Sequence, residues 1–160
     1  MALDKFMKGL VDLIYRTERA KRKFEYANPD EKVLAADASK GVITKENQDI
    51  QHGMNWVTSQ RAVIMLTDKK IACGKWTISL DDITDAQLIK YGSGQVLKIS
   101  TEDGTNYQFG MQTNPAWTNQ QILPLTLEKG QVKYSLYSII VRLILLGYIV
   151  YLLYSWIISN

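Results

Sequence analysis

The sequence predicts a mainly β (α+β) domain flanked by two helices of opposite character, amphipathic at the N-terminus and apolar at the C-terminus. Three observations predict it. Leu3, Phe6, Met7, Leu10, Leu13 and Ile14 recur at i, i+3, i+4 spacing, the stripe of an amphipathic helix. Between residues 31 and 127, short runs rich in β-branched and aromatic residues are separated by turn residues, the signature of strands. From Ser135 to Ile158 the chain is apolar for 24 residues with one charge, Arg142, and about 20 such residues cross the hydrocarbon core of a bilayer.

The N-terminal helix is expected within residues 1–27. Asp4, Lys5, Lys8, Asp12, Arg16 and Arg19 fill its polar side. Asn28-Pro29-Asp30 ends it, because the residue before a proline is pushed out of the helical region. Its later part is basic: Arg16, Arg19, Lys21, Arg22 and Lys23 stand against Glu18 and Glu25. Two readings of this helix stand. Its stripe packs on the β domain or on a partner protein, or it lies in a membrane interface with Phe6, Met7 and Leu10 buried and Arg16 to Lys23 near anionic headgroups.

Six strands follow from the pattern: Ala62–Thr67, Ile71–Cys73, Trp76–Leu80, Ile83–Tyr91, Val96–Ser100 and Tyr107–Phe109. A first strand begins at Val33 and extends toward Val42-Ile43-Thr44. Glu102-Asp103-Gly104 carries the Asp-Gly hairpin turn. Tyr107, Phe109 and Met111 alternate with Asn106, Gln108 and Gly110, which predicts one face buried with Phe109 in the core. Pro115 suits the first turn of a helix capped by Asn114, with Trp117 and Ile122 facing inward. Residues 128–134 read as a short linker.

The run 135–158 is expected to be a transmembrane helix, since backbone in lipid must satisfy its own hydrogen bonds. Lys129 and Lys133 precede it and only Ser159 and Asn160 follow. The positive-inside rule then predicts a tail-anchored, single-pass protein with its N-terminal domain in the cytoplasm. Arg142 would lie roughly 9 Å into such a span; it either snorkels to the near headgroups or meets another membrane subunit. Tyr148 and Tyr151 would sit at depth, where a phenol wants a partner. Arg142, Tyr148 and Tyr151 are therefore the candidate contacts to an integral membrane complex.

The net charge of +3, with mixed signs, is too small to argue for nucleic acid. A single cysteine, Cys73, makes no internal disulfide and fits a reducing compartment. The N-terminus has no apolar leader, and Ala2 excludes N-myristoylation.

Three segments together resemble the GRAM and bacterial pleckstrin-homology (PH)-like domain family. They are Arg61 to Ala72 (RAVIMLTDKKIA), Ile78 to Leu88 (ISLDDITDAQL) and Val96 to Gly110 (VLKISTEDGTNYQFG). The resemblance covers about residues 31 to 125. It implies a seven-stranded, strongly bent antiparallel sandwich capped by one helix, with the seventh strand drawn from Val33 to Gln51. It also implies binding of lipids, peptides or proteins, not catalysis. A phosphoinositide site is not carried across, because only Lys40 and Lys45 stand where the family clusters basic residues.

Other motifs read as structure. Asp81-Asp82-Ile83-Thr84-Asp85 spells DDxxD but lies between strands with no second acidic motif, so it is a solvated turn. His52 is the one histidine and is read as loop surface. Gly92-Ser93-Gly94 lacks the third glycine of a dinucleotide loop and is a hairpin turn. Cys73 is read as a buried, inert thiol. No nucleophile has a base beside it, and neither a metal nor a cofactor is expected. The sequence thus points to a non-catalytic adaptor or accessory subunit of an integral membrane protein complex. A lipid-headgroup-sensing module is the alternative.

Overall fold

The computed structural model describes residues 2–44, 59–92, 94–130 and 136–159. Two helices open the chain, α1 (Ala2–Tyr15) and α2 (Thr17–Ala27). Seven strands follow: β1 (Val33–Thr44), β2 (Gln60–Thr67), β3 (Lys70–Cys73), β4 (Trp76–Ser79), β5 (Ile83–Tyr91), β6 (Gly94–Thr101) and β7 (Asn106–Gln112). Then come α3 (Pro115–Asn119), β8 (Thr126–Lys129) and α4 (Leu136–Ser159).

The strands form one eight-stranded sheet in the order β4-β3-β2-β1-β7-β6-β5-β8. Neighbours are antiparallel except β5 and β8, which run parallel. This mixed sheet corrects the expectation of a seven-stranded, wholly antiparallel sandwich under a helical cap. The ambiguous stretch after Glu31 supplies one long strand, β1. The additional strand is β8, whose Thr-Leu-Glu-Lys has no apolar alternation and is exposed at all four positions. Backbone pairing holds it: Gly130 N–H extends the ladder to the Lys90 carbonyl at 2.9 Å. The cap is reduced to the five residues of α3.

The sheet curls over itself. β4 and β7 are four steps apart in the sheet order, about 19 Å if flat. Yet the Trp76 ring on β4 lies 6.0 Å from that of Phe109 on β7, edge to face. Gly41 on β1 makes the closure possible, because a Cβ there would run into the Trp76 ring. The enclosed core gathers Ile64, Leu66, Ile71, Leu88, Leu97, Ile99, Phe109 and Trp117, all essentially inaccessible to solvent. Phe109 is wholly buried on the face that alternation assigned to it, with Tyr107 stacked on it at 6.1 Å.

Local chemistry explains the turns. Gly104 adopts φ +80° in the β6–β7 hairpin, a region that costs glycine little. The Thr101 hydroxyl donates to Asp103 at 2.6 Å, and the Thr105 N–H does so at 2.9 Å. Those donors, Thr101 first, hold the Asp103 carboxyl below its ordinary range. The Asn114 side chain accepts from the Ala116 N–H at 3.0 Å, capping α3. α3 stops at Asn119, so Ile122 is exposed, contrary to expectation, and Leu123 turns inward instead. The Gln120 amide fixes that turn by bonding both the N–H and the carbonyl of Leu123.

The expected single N-terminal helix is two. Arg16 takes φ 51°, ψ 45°, the only positive φ outside glycine among the described residues. The Thr17 hydroxyl bonds Asp12 at 3.2 Å and the Arg16 N–H reaches the Leu13 carbonyl at 3.1 Å, tying the break from inside. No glycine or proline announces this break in the sequence.

The C-terminal run is helical over 24 residues as α4. Among the described residues, however, no helix is long and apolar enough to cross a membrane. Arg142, Tyr148, Tyr151 and Tyr154 interrupt its apolar run. The expectations of a transmembrane helix, a tail anchor and a single-pass location with a cytoplasmic domain are corrected accordingly.

Candidate functional site

The most unusual group in the sheet is Asp37. β1 reads Val33-Leu-Ala-Ala-Asp-Ala-Ser, and Ala35, Asp37 and Ser39 are all buried. Asp37 is 1% exposed, and a buried carboxylate is costly unless donors surround it. Three do. The Asn114 Nδ2 donates to Oδ2 at 2.7 Å, and the Trp117 indole Nε1 to the same oxygen at 2.8 Å. The Lys8 ammonium donates to Oδ1. Asp37 therefore joins β1, the cap and body of α3, and α1.

Lys8 also pairs with Asp12 one turn along α1 at 3.1 Å. Burial disfavours its ammonium, but hydrogen bonds and charge from Asp37 and Asp12 outweigh that and raise its pKa above the ordinary 10.5. A lysine whose folded pKa exceeds its unfolded one stabilises fully below the unfolded value and stops doing so as pH rises through the folded one. Thermal unfolding followed from pH 8 to 12 should show this contribution intact to about pH 10.5 and declining above it. The wild type and Lys8→Met should therefore differ by a constant gap that closes only in strong alkali. A gap already closed at pH 9 would show that the ion pair contributes nothing.

The docking of α1 inverts the usual arrangement. Among the described side chains, Lys8, Val11, Asp12 and Tyr15 are the partly covered positions. Four apolar residues point away: Phe6 is 68% exposed, Leu10 42%, Leu13 73% and Ile14 68%. Phe6 and Leu10 each lie about 160° from Lys8 around the helix axis. So the described residues of the stripe, Phe6, Leu10, Leu13 and Ile14, do not pack on the sheet, and a polar pair ties the helix to it. The Met7 side chain lies outside the described residues.

α2 and the Arg16 that precedes it carry the basic residues. Arg16, Arg19, Arg22 and Lys23 are exposed, while Lys21 is partly covered and lies 3.9 Å from Glu25. α2 is fastened by Lys70 of β3, whose ammonium sits 5.5 Å from the centre of the Phe24 ring and 2.7 Å from Glu31. The structure therefore brings Phe6, Leu10, Arg16, Arg19, Arg22 and Lys23 onto one helical pair. In α4, Tyr148 and Tyr151 are exposed, and the Arg142 side chain lies outside the described residues. Without a shown span, these three lose the argument from membrane depth.

The remaining motifs resolve as structure. Asp81, Asp82 and Asp85 are exposed around the single turn Leu80–Asp82. Asp82, Glu102 and Asp103 border an open polar cleft with Thr77 and Tyr107. Among the described residues, no group of three or more His, Cys, Asp or Glu is placed to hold a metal. Cys73 is fully buried, its thiol 3.3 Å from the Ser39 hydroxyl, and burial raises its pKa. His52 and Lys45 lie outside the described residues.

Sequence reading missed Asp37 and Lys8. One signal was available: an acid spaced two residues from Ala35 and from Ser39 on what alternation makes a buried face. Compared with known proteins, the chain matches no family model and no curated relative.

Proposed function

We propose that this chain is a non-catalytic adaptor that docks onto a partner protein through the outward stripe of α1. One observation carries the reading: α1 is fixed to the sheet by its polar side, through Lys8 and Asp37, while Phe6, Leu10, Leu13 and Ile14 face solvent. Those four described residues are left uncovered by their own domain, and an exposed apolar patch beside polar residues is the mark of an interaction surface. The buried Asp37 and Cys73, and Lys8 beside Asp37, already have structural partners, which favours binding over chemistry. The GRAM and PH-like kinship remains part of the proposal on the strength of its sequence segments. The partner's being an integral membrane complex rested on the span and is not carried forward.

The test uses the full chain and a Phe6→Ser/Leu13→Ser variant. Both positions are exposed, so the melting temperature should change little. Co-purification from its native source should yield a stoichiometric partner with the wild type, falling at least about tenfold with the variant, a loss of about 1.4 kcal/mol. An undiminished yield would overturn the reading. So would salt-sensitive sedimentation of the wild type with phosphatidylserine vesicles that the variant loses, since that assigns the stripe and Arg16 to Lys23 to anionic headgroups.

A further inference from the structure

The geometry at Asp37 points to a second site, independent of what the α1 stripe binds. We infer that Asp37 forms the floor of a socket for a primary ammonium group, that Lys8 is its built-in occupant, and that a lysine from outside the chain takes the place when α1 lifts. The two carboxylate oxygens are not equivalent. Oδ2 is taken by Asn114 and Trp117 at 2.7 and 2.8 Å, and both donors belong to the α3 segment that closes the core. Oδ1 is left for the cation.

This asymmetry selects the ligand chemistry. A guanidinium binds a carboxylate best through two parallel bonds that need both oxygens. Here the second oxygen is occupied by neutral donors, so a compact point charge with freely rotating N–H groups fits and a planar fork does not. Asn114 and Trp117 carry no charge, so the carboxylate, 1% exposed, requires a cation whenever Lys8 is away.

The occupant is built to leave. Lys8 retains 26% of its side-chain exposure while its partner has 1%. No described apolar residue of α1 is fully buried: Phe6, Leu10, Leu13 and Ile14 point outward, and Val11 and Tyr15 are only partly covered. The ion pair is thus the main described tie between α1 and β1, and a competing ammonium acts on that tie directly.

Lys8→Ala in the full chain tests the socket by refilling it. The melting temperature should fall by about 3 °C or more. Ethylammonium chloride should restore it in a saturable way, whereas tetramethylammonium chloride of equal ionic strength, which has no N–H to donate, should not. Lys8→Arg should melt nearer to Lys8→Ala than to the wild type. In the unaltered protein, ethylammonium should speed amide exchange across Ala2–Tyr15 more than tetramethylammonium does, a readout that stands even if Lys8→Ala does not fold. Equal effects of the two salts would overturn the socket, as would a Lys8→Arg variant as stable as the wild type.

Discussion

Phe109→Ala is expected to cost about 3–5 kcal/mol of folding stability, the range for deleting a buried phenylalanine. The ring is wholly buried and touches two aromatic neighbours, stacked on Tyr107 and edge-on to Trp76. It does more than fill volume, since it is the surface on which the β4 edge comes to rest after the sheet curls. The opposing position on β1 is Gly41, which has no side chain to move into the space. The cavity should therefore persist, and persistence is what sets the upper part of the range. Chemical denaturation of the two proteins measures this directly. A loss below about 1.5 kcal/mol would show that the closure rests on other contacts.

Asp37→Ala is expected to cost a similar amount, about 3–4 kcal/mol, for a different reason. Removing the carboxylate leaves two neutral donors, the buried Trp117 Nε1 and the half-buried Asn114 Nδ2, without their acceptor. Each such orphan costs about 1–3 kcal/mol. Lys8 escapes much of the penalty because it keeps Asp12 and partial access to water, which is why the value stays below the extreme for a broken buried pair. Asp37→Asn separates the contributions. It keeps one acceptor oxygen for Trp117 but loses the charge that holds α1, so amide exchange should accelerate across Ala2–Tyr15 with only part of the stability lost. If Asp37→Ala melts within about 2 °C of the wild type, Asp37 is not the joint described.

The strands were legible because one face of each is apolar. Tyr107, Phe109 and Met111 gave both the element and its orientation, and Asp103-Gly104 gave the hairpin. β8 was illegible for the converse reason: its four residues are all exposed, so no periodicity marks it, and backbone pairing with β5 alone makes it a strand. The break at Arg16 was hidden because it uses a left-handed arginine held by Thr17 and Asp12, where a glycine would have been visible. The inward turn went to Leu123 and not Ile122 because α3 ends a turn earlier than its apolar spacing suggested. Composition announced the helix of the C-terminal run, but among the described residues no helix is long and apolar enough to cross a membrane. For the candidate site, the basic and apolar residues of α1 and α2 were legible. The side on which α1 docks was not, because it depends on one lysine reaching a carboxylate on another element, and stripe-counting assumes that apolar faces turn inward.

β1 lies in the middle of the sheet order, paired with β2 on one side and β7 on the other. A ribosome delivers those two neighbours at different times. β2, β3 and β4 emerge soon after β1 and can complete a four-stranded half. β7 is not made until residue 112, and at about 5–20 residues per second the interval after β4 lasts some 2–7 s. During that interval the Ser39–Thr44 flank of β1 presents bare amides and carbonyls, the arrangement that recruits a strand from a neighbouring nascent chain. Lys40, exposed in the finished fold, places one charge on that flank and serves as its gatekeeper on the polysome. Codon choice between residues 80 and 112 should therefore govern how much of this protein is recovered unaggregated, independently of how stable it is once made.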